Sequence, residues 1–351
     1  MIGLRLLPLV LGAGTLLLVT PVVASSAVSM PRGTASPTVG PGQVRATALL
    51  DNASAASRQR TYRGTQYASA WRPGFSAASV ADIRHTPAQG SVVTVRPTSD
   101  RRSAEQAVTA TPDLDVRLVR LLAEHYQLDV APAQTSAGRP ADVIDVRRTD
   151  GTMAGRFWID RASSLLLRRE VFDDKERLVR SSALVDLAVD SPRPGVAAQD
   201  AVATQGRLTE AELAALREQG YRIPTSLPGQ LELFDARVRT HESKQVLHLS
   251  YSDGLSSLSL FAQPGHLGNE PRDGFDEHKV DSASVWVAES SPQRVVWSGE
   301  GYVFTLLSDA PVEAVTAVVT ALPHDPPQST GFLARIGRGL ARLGSWLNPF
   351  D

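Results

Sequence analysis

Gln245 to Phe261 reads QVLHLSYSDGLSSLSLF. His248 alternates with Leu247 and Leu249, the period of two that sends neighbouring side chains to opposite faces of a strand. Asp253-Gly254 separates this run from a second alternating one, the clearest hairpin signal in the chain. A hairpin implies an antiparallel sheet, and the flanking sequence extends it. Leu231–His241, Gln245–Ser252, Leu255–Gln263, Ala283–Glu289, Gln293–Ser298 and Tyr302–Leu307 all read as strands. Upstream, Thr209 and Glu212 form the capping box of a short helix that stops at Gly220. Downstream, Pro311 opens a helix with Val312, Val315, Val319 and Leu322 on one side, and Pro323, Pro326 and Pro327 end it. Residues 207–322 therefore form one predicted domain.

Residues 191–206 (SPRPGVAAQDAVATQG) have no apolar periodicity and read as a linker to a domain over 44–190. That domain begins with an alanine-rich helix, Val44 to Arg60, followed by a strand from Thr61 to Trp71 and the β-branched run Ser91 to Arg96. Asp113 is expected to cap a second helix carrying Leu114, Leu118, Leu121, Leu122 and His125. Four strand-like runs follow: Asp142–Arg148, Gly155–Asp160, Ser164–Phe172 and Leu178–Val189. Their short turn-forming connections demand antiparallel neighbours, so this half is a meander with helices laid against it. The fold class is α+β.

The ends of the chain have other characters. Arg5, the uncharged apolar run Leu6 to Val23 and the small residues Ala24 to Ala27 read as a signal peptide over 1–27, either cleaved or kept as an anchor. Residues 28–43 are a Pro- and Gly-containing spacer. Residues 323–351 are a Pro-rich link and a tail in which Phe332, Ile336, Leu340, Leu343 and Leu347 form one helical stripe. Arg335, Arg338 and Arg342 form another, with Trp346 near the edge. This basic amphipathic helix either docks on the domain or meets a membrane surface.

The 351 residues hold 36 basic and 37 acidic side chains, a net charge of −1 that offers no general attraction for nucleic acid. The chain has no cysteine, which removes disulfides, thiolate catalysis and Cys-ligated metals. The seven histidines, at positions 85, 125, 241, 248, 266, 278 and 324, show no zinc-helix spacing. No nucleophile elbow, phosphate loop or dinucleotide fingerprint is present. Asp173-Asp174 and the group Asp273, Asp276 and Glu277 match no calcium loop and read as solvated turns. No catalytic residue, cofactor or metal ligand is assigned, and the expectation is a binding protein, not an enzyme. Tyr62, Tyr67, Trp71 and Trp158 are the candidates to line a ligand cavity on the first sheet, the alternative for each being core packing.

The run from His248 through Tyr251, Ser252, Asp253 and Gly254 resembles the C-terminal domain of the RseB/MucB family of sigma-E factor regulators. Thr61-Tyr62-Arg63-Gly64-Thr65, Ala137-Gly138-Arg139-Pro140, Phe157-Trp158-Ile159-Asp160 and Leu165-Leu166-Leu167-Arg168 resemble, in order, pieces of the family's first domain. The resemblance spans most of residues 44–309. It implies a LolA/LppX-like incomplete antiparallel β-barrel with helices, followed by a smaller antiparallel sheet with a helix. It also implies an extracytoplasmic protein that binds the outer segment of an anti-sigma factor and senses envelope stress, with a lipid ligand in the half-barrel. A secreted lipid or lipoprotein carrier is the alternative.

Overall fold

The computed structural model describes residues 40–87, 90–96, 114–190, 206–241, 244–267, 274–280 and 283–325. The expected signal peptide, most of the spacer, most of the linker and the tail helix lie outside them, as does Asp113. Residues from 39 onward group as one body containing two sheets.

The first sheet is built from β1 (Tyr62–Arg72), β2 (Phe75–Thr86), β3 (Gly90–Val95), β4 (Gln127–Ser136), β5 (Arg139–Arg147), β6 (Met153–Asp160), β7 (Leu166–Phe172) and β8 (Leu178–Val189). Its order is β3-β2-β1-β8-β7-β6-β5-β4, antiparallel throughout. Two meanders thus join through β1 and β8, and β3 and β4 remain as edges, so the barrel is incomplete. Helix α1 (Pro41–Gln59) starts with proline in its first turn, where the missing N–H costs nothing, so it begins three residues before the sequence reading placed it. Helix α2 (Val116–His125) is capped by Asp115, whose carboxylate accepts from Arg117 N at 2.8 Å. Asp115, two residues on from the expected Asp113, is the cap because helical geometry begins only at Val116.

Both helices lie on one face of this sheet. Ala46, Leu50 and Ala53 of α1 and Val119 and Leu122 of α2 share a core with Leu128, Ile144, Val146, Phe157, Ile159 and Val171. The sequence reading missed β2 and β4. In both, the inward residues are small or few and polar residues interrupt the alternation.

The second unit starts with α3 (Glu210–Glu218), whose capping box is formed as expected: Thr209 Oγ1 accepts from Glu212 N, and Thr209 N donates to the Glu212 carboxylate at 2.7 Å. Its sheet comprises β9 (Ser226–Leu227), β10 (Leu231–His241), β11 (Lys244–Ser252), β12 (Ser257–Pro264), β13 (Asp276–Val280), β14 (Ala283–Ala288), β15 (Gln293–Gly299) and β16 (Tyr302–Ser308). The order is β13-β14-β15-β16-β12-β11-β10-β9. Helix α4 (Val312–Ala321) lays Val315, Val318 and Val319 into a core with Leu249, Tyr251, Leu260, Trp297 and Leu306. This unit is shorter in chain than the first but matches it in strand number, so it is smaller only in length.

Candidate functional site

The hairpin on which the sequence reading turned does more than close a strand pair. Ser252 pairs with Ser257, which leaves a four-residue turn, 253–256, in place of the tight Asp-Gly turn expected. The Asp253 carboxylate holds this turn by accepting from Leu255 N at 2.8 Å and Ser256 N at 2.6 Å. Ser252 Oγ adds bonds with Gly254 N and Ser256 O. Leu255, expected to begin a strand, leaves the sheet and enters the first unit's core at 2% exposure. The turn is therefore the bolt between the two units.

The other side of the bolt is shaped to receive it. Tyr126, just past α2, donates its hydroxyl to the Asp253 carboxylate at 2.7 Å. Gly254 has φ +90° and packs against the α2 backbone, where a Cβ would stand 2.2 Å from Leu122 N. Gly155 is the matching absence in β6, since a Cβ there would fall 2.7 Å from Leu255 Cδ1. Burial pushes the Asp253 carboxyl up, against the pull of its hydrogen bonds, and the nearby Asp309 pushes the same way. Burial beside Asp253 likewise pushes the Tyr126 phenol up.

Around this bolt, arginines of the first unit reach acceptors of the second. Arg180 pairs with Asp309 at 2.7 Å, Arg117 donates to Phe234 O at 2.9 Å, and Arg72 donates to Ser290 O at 2.5 Å. Arg169 donates to Leu255 O and lies 5.7 Å from the Phe157 ring centroid. Between the sheets these residues leave a half-open cavity of about 520 Å³, with Leu118, Leu166, Val171, Phe234 and Leu307 among its apolar walls. Its volume is in the range of small-molecule sites.

The candidate cavity residues chosen from sequence do not line one pocket. Tyr67 pairs with Ala183, Ala183 with Arg168, and Arg168 with Trp158, so Tyr67 and Trp158 share a face, and Trp71 joins them by strand parity. Tyr62 points to the opposite, helix-covered face, stacked on His85 at 5.0 Å. Trp158 is buried, with its Nε1 donating to Gln134 at 2.9 Å and the Arg168 guanidinium 4.8 Å from its ring. Tyr67 and Trp71 are 50% and 37% exposed. In the hairpin motif, Tyr251 is core, its hydroxyl donating to Pro224 O, while His248 stacks on Phe261 at 4.3 Å. Sequence reasoning missed Tyr126, Arg169, Arg180 and Asp309. Arg169 left one usable signal: it shares strand parity with buried Val171, a charge on the apolar side of β7.

Among the described residues no cluster of acids and histidines is arranged to hold a metal ion. No helix there is long and apolar enough to cross a membrane. An open antiparallel half-barrel with helices on one face, bolted to a second sheet around a shared cavity, defines a two-unit α+β scaffold. Residues 81–211 match the family model described as the MucB/RseB N-terminal domain. Over that stretch the chain is similar to the MucB/RseB N-terminal domain. Among solved structures, it is similar to MucB in complex with MucA(peri), at 20% identity and TM-score 0.41 over 80% of this chain and all of that one. The Pseudomonas aeruginosa MucA/MucB complex gives 19% and 0.42 with the same coverage. A LolA superfamily protein from Nitrosomonas europaea gives 8% and 0.20, covering 76% of this chain and 91% of that one. No curated protein sequence matches the chain.

Proposed function

We propose that this protein is an extracytoplasmic negative regulator that binds the outer segment of a membrane-anchored anti-sigma factor and carries out no chemistry of its own. The observation that carries this reading is the family match over residues 81–211. The apolar N-terminal run, read as an export signal, supports a location beyond the cytoplasmic membrane. Occupancy shields the anti-sigma segment from proteolysis, and a lipid that prefers the free protein releases it. Such coupling requires only that the lipid and the segment have opposite preferences for the two forms. The tail over 323–351 adds contact with the membrane surface.

Isothermal titration of the purified chain with the ectodomain of the anti-sigma factor encoded in the same genome tests this. Saturable binding is expected, and an absence of heat and of co-elution at tens of micromolar overturns it. A second reading, a secreted lipid carrier, is favoured by the apolar-walled cavity alone. It predicts lipid uptake without any anti-sigma binding.

A further inference from the structure

The last strand of a sheet presents a row of unpaired N–H and C=O groups, and proteins usually blunt such an edge. Three of the four sheet edges here are blunted. β4 bulges between Ala131 and Gln134, where Pro132 sits, and Gln43 of α1 takes its Leu128 N–H. β9 has only two residues, and β13 carries Asp276, Glu277, His278 and Lys279. β3 is different. Its sequence, GSVVTV, has no charge, no proline and no bulge, and among the described residues it pairs with β2 alone. Val92 and Val95 are 58% and 39% exposed.

The register defines what this edge can accept. Arg96 N donates to Val80 O at 2.8 Å. Antiparallel parity then turns the backbone groups of Val92 and Thr94 towards β2, and those of Ser91, Val93 and Val95 outward. On the helix side, Val93 packs against a core containing Tyr62 and Ile83, and Val95 follows it along the same face. On the other face Val92 stands in one row with Arg84 and Arg63, which oppose each other across β2 and β1. Like charges directly opposite in a ladder are unfavourable. The row lies in an open groove of about 550 Å³ with two acids, Asp82 and Asp186, on its wall. Arg96 holds Asp82 at 2.7 Å, and Arg84 also acts on it. Three arginines thus share two carboxylates. A second copy paired on this edge would add another Arg63–Arg84 row, so the charges favour an acidic strand over self-association.

We propose that β3 is a docking edge for an extended segment of another polypeptide, apolar on the helix side and acidic on the side of Arg84 and Arg63. Backbone bonds at Ser91, Val93 and Val95 supply affinity, and the two faces select the side chains. The proposal does not rest on the function proposed above, because an anti-sigma segment can bind elsewhere on the protein.

The test titrates the full-length chain with a fluorescein-labelled heptapeptide that alternates glutamate and valine, with glutamate at both ends. Its counterparts carry lysine for every glutamate, or proline for the central valine. The glutamate peptide is expected to bind at least tenfold more tightly than either. Val93→Pro deletes an outward N–H while sparing the β2 ladder, and should weaken that binding at least tenfold. Joint Arg63→Glu and Arg84→Glu should turn the preference towards the lysine peptide. Both arginines are exposed, so this variant and the proline peptide keep the test decisive if Val93→Pro fails to fold. Binding that ignores the sign of the peptide, or that survives proline in the peptide or in folded Val93→Pro, overturns the proposal. Absence of peptide binding also overturns it, and a dimer in sedimentation that Val93→Pro dissociates would then assign the edge to a second copy.

Discussion

At the scale of single residues, two glycines determine whether the units can join. Gly254 needs a left-handed backbone and a bare Cα against α2, and Gly155 leaves the volume that Leu255 occupies. A methyl group at 254 meets the Leu122 and Leu118 backbone, which has no rotamer by which to yield. Gly254→Ala is therefore expected to cost at least about 2 kcal/mol, combining positive-φ strain with overpacking. Urea unfolding followed by tryptophan fluorescence measures this, and a midpoint equal to that of the unmodified chain contradicts it. Asp-Gly was legible as a turn, but the second reason for the glycine was not. That reason is a neighbour more than a hundred residues away in the chain.

At the scale of elements, the tail's sequence pattern leaves two roles, docking on the domain or meeting a membrane surface, and we propose the second. One stripe of Phe332, Ile336, Leu340, Leu343 and Leu347 beside Arg335, Arg338 and Arg342 has the composition of a helix lying in a lipid interface. Replacing the three arginines by glutamate is expected to abolish co-sedimentation with anionic vesicles, at roughly 1 kcal/mol lost per removed cation and more for the added repulsion. Undiminished sedimentation returns the segment to a helix docked on the domain. Elements with strong periodicity were legible in the same way: β6, β8, β10, β11, α3 and α4 lie close to where their patterns put them. Two of those that failed, β2 and β4, share a cause. β2 spreads Ala, Val and Ile among Ser, Asp and Arg, and β4 contains Asp129, Pro132 and Gln134, so the strand state of β2 comes from its partners β1 and β3, and that of β4 from β5, and not from their own alternation. The candidate aromatics failed similarly. Parity within β1 separates Tyr62 from Tyr67, but only the cross-strand register shows that Trp158 shares a row with Tyr67.

At the scale of the whole molecule, the two sheets meet at a group that titrates. Asp253 belongs to the second sheet and Tyr126 to the first. Asp309 bears on the carboxyl as well, and Arg169 stands near it. Burial holds the Asp253 carboxyl above the ordinary carboxylate value of about 3.9, so the folded chain takes up this proton more readily than the unfolded one. The sign follows: ionised Asp253 lowers stability at neutral pH, and that cost is relieved as pH falls through its folded pKa. Asp160 and Asp173 behave oppositely. Burial raises them, but bonds to Arg139 and Ser163, and to Arg177, outweigh it and hold them low, so their contributions are lost in acid. The net acid profile therefore mixes both signs, and Asp253→Asn separates them. Asparagine keeps an oxygen for Leu255 N and Ser256 N, so at pH 7 the variant should lie within about 1 kcal/mol of the unmodified chain, whereas Asp253→Ala, which orphans those donors, should lose about 2 kcal/mol. On lowering the pH from about 7 towards about 4, the unmodified chain should gain on Asp253→Asn, because only it has a buried charge to neutralise. Paired urea titrations across that range read the difference directly. A gap that stays constant, or widens in favour of the variant, would show that the junction does not bury a carboxylate against its preference.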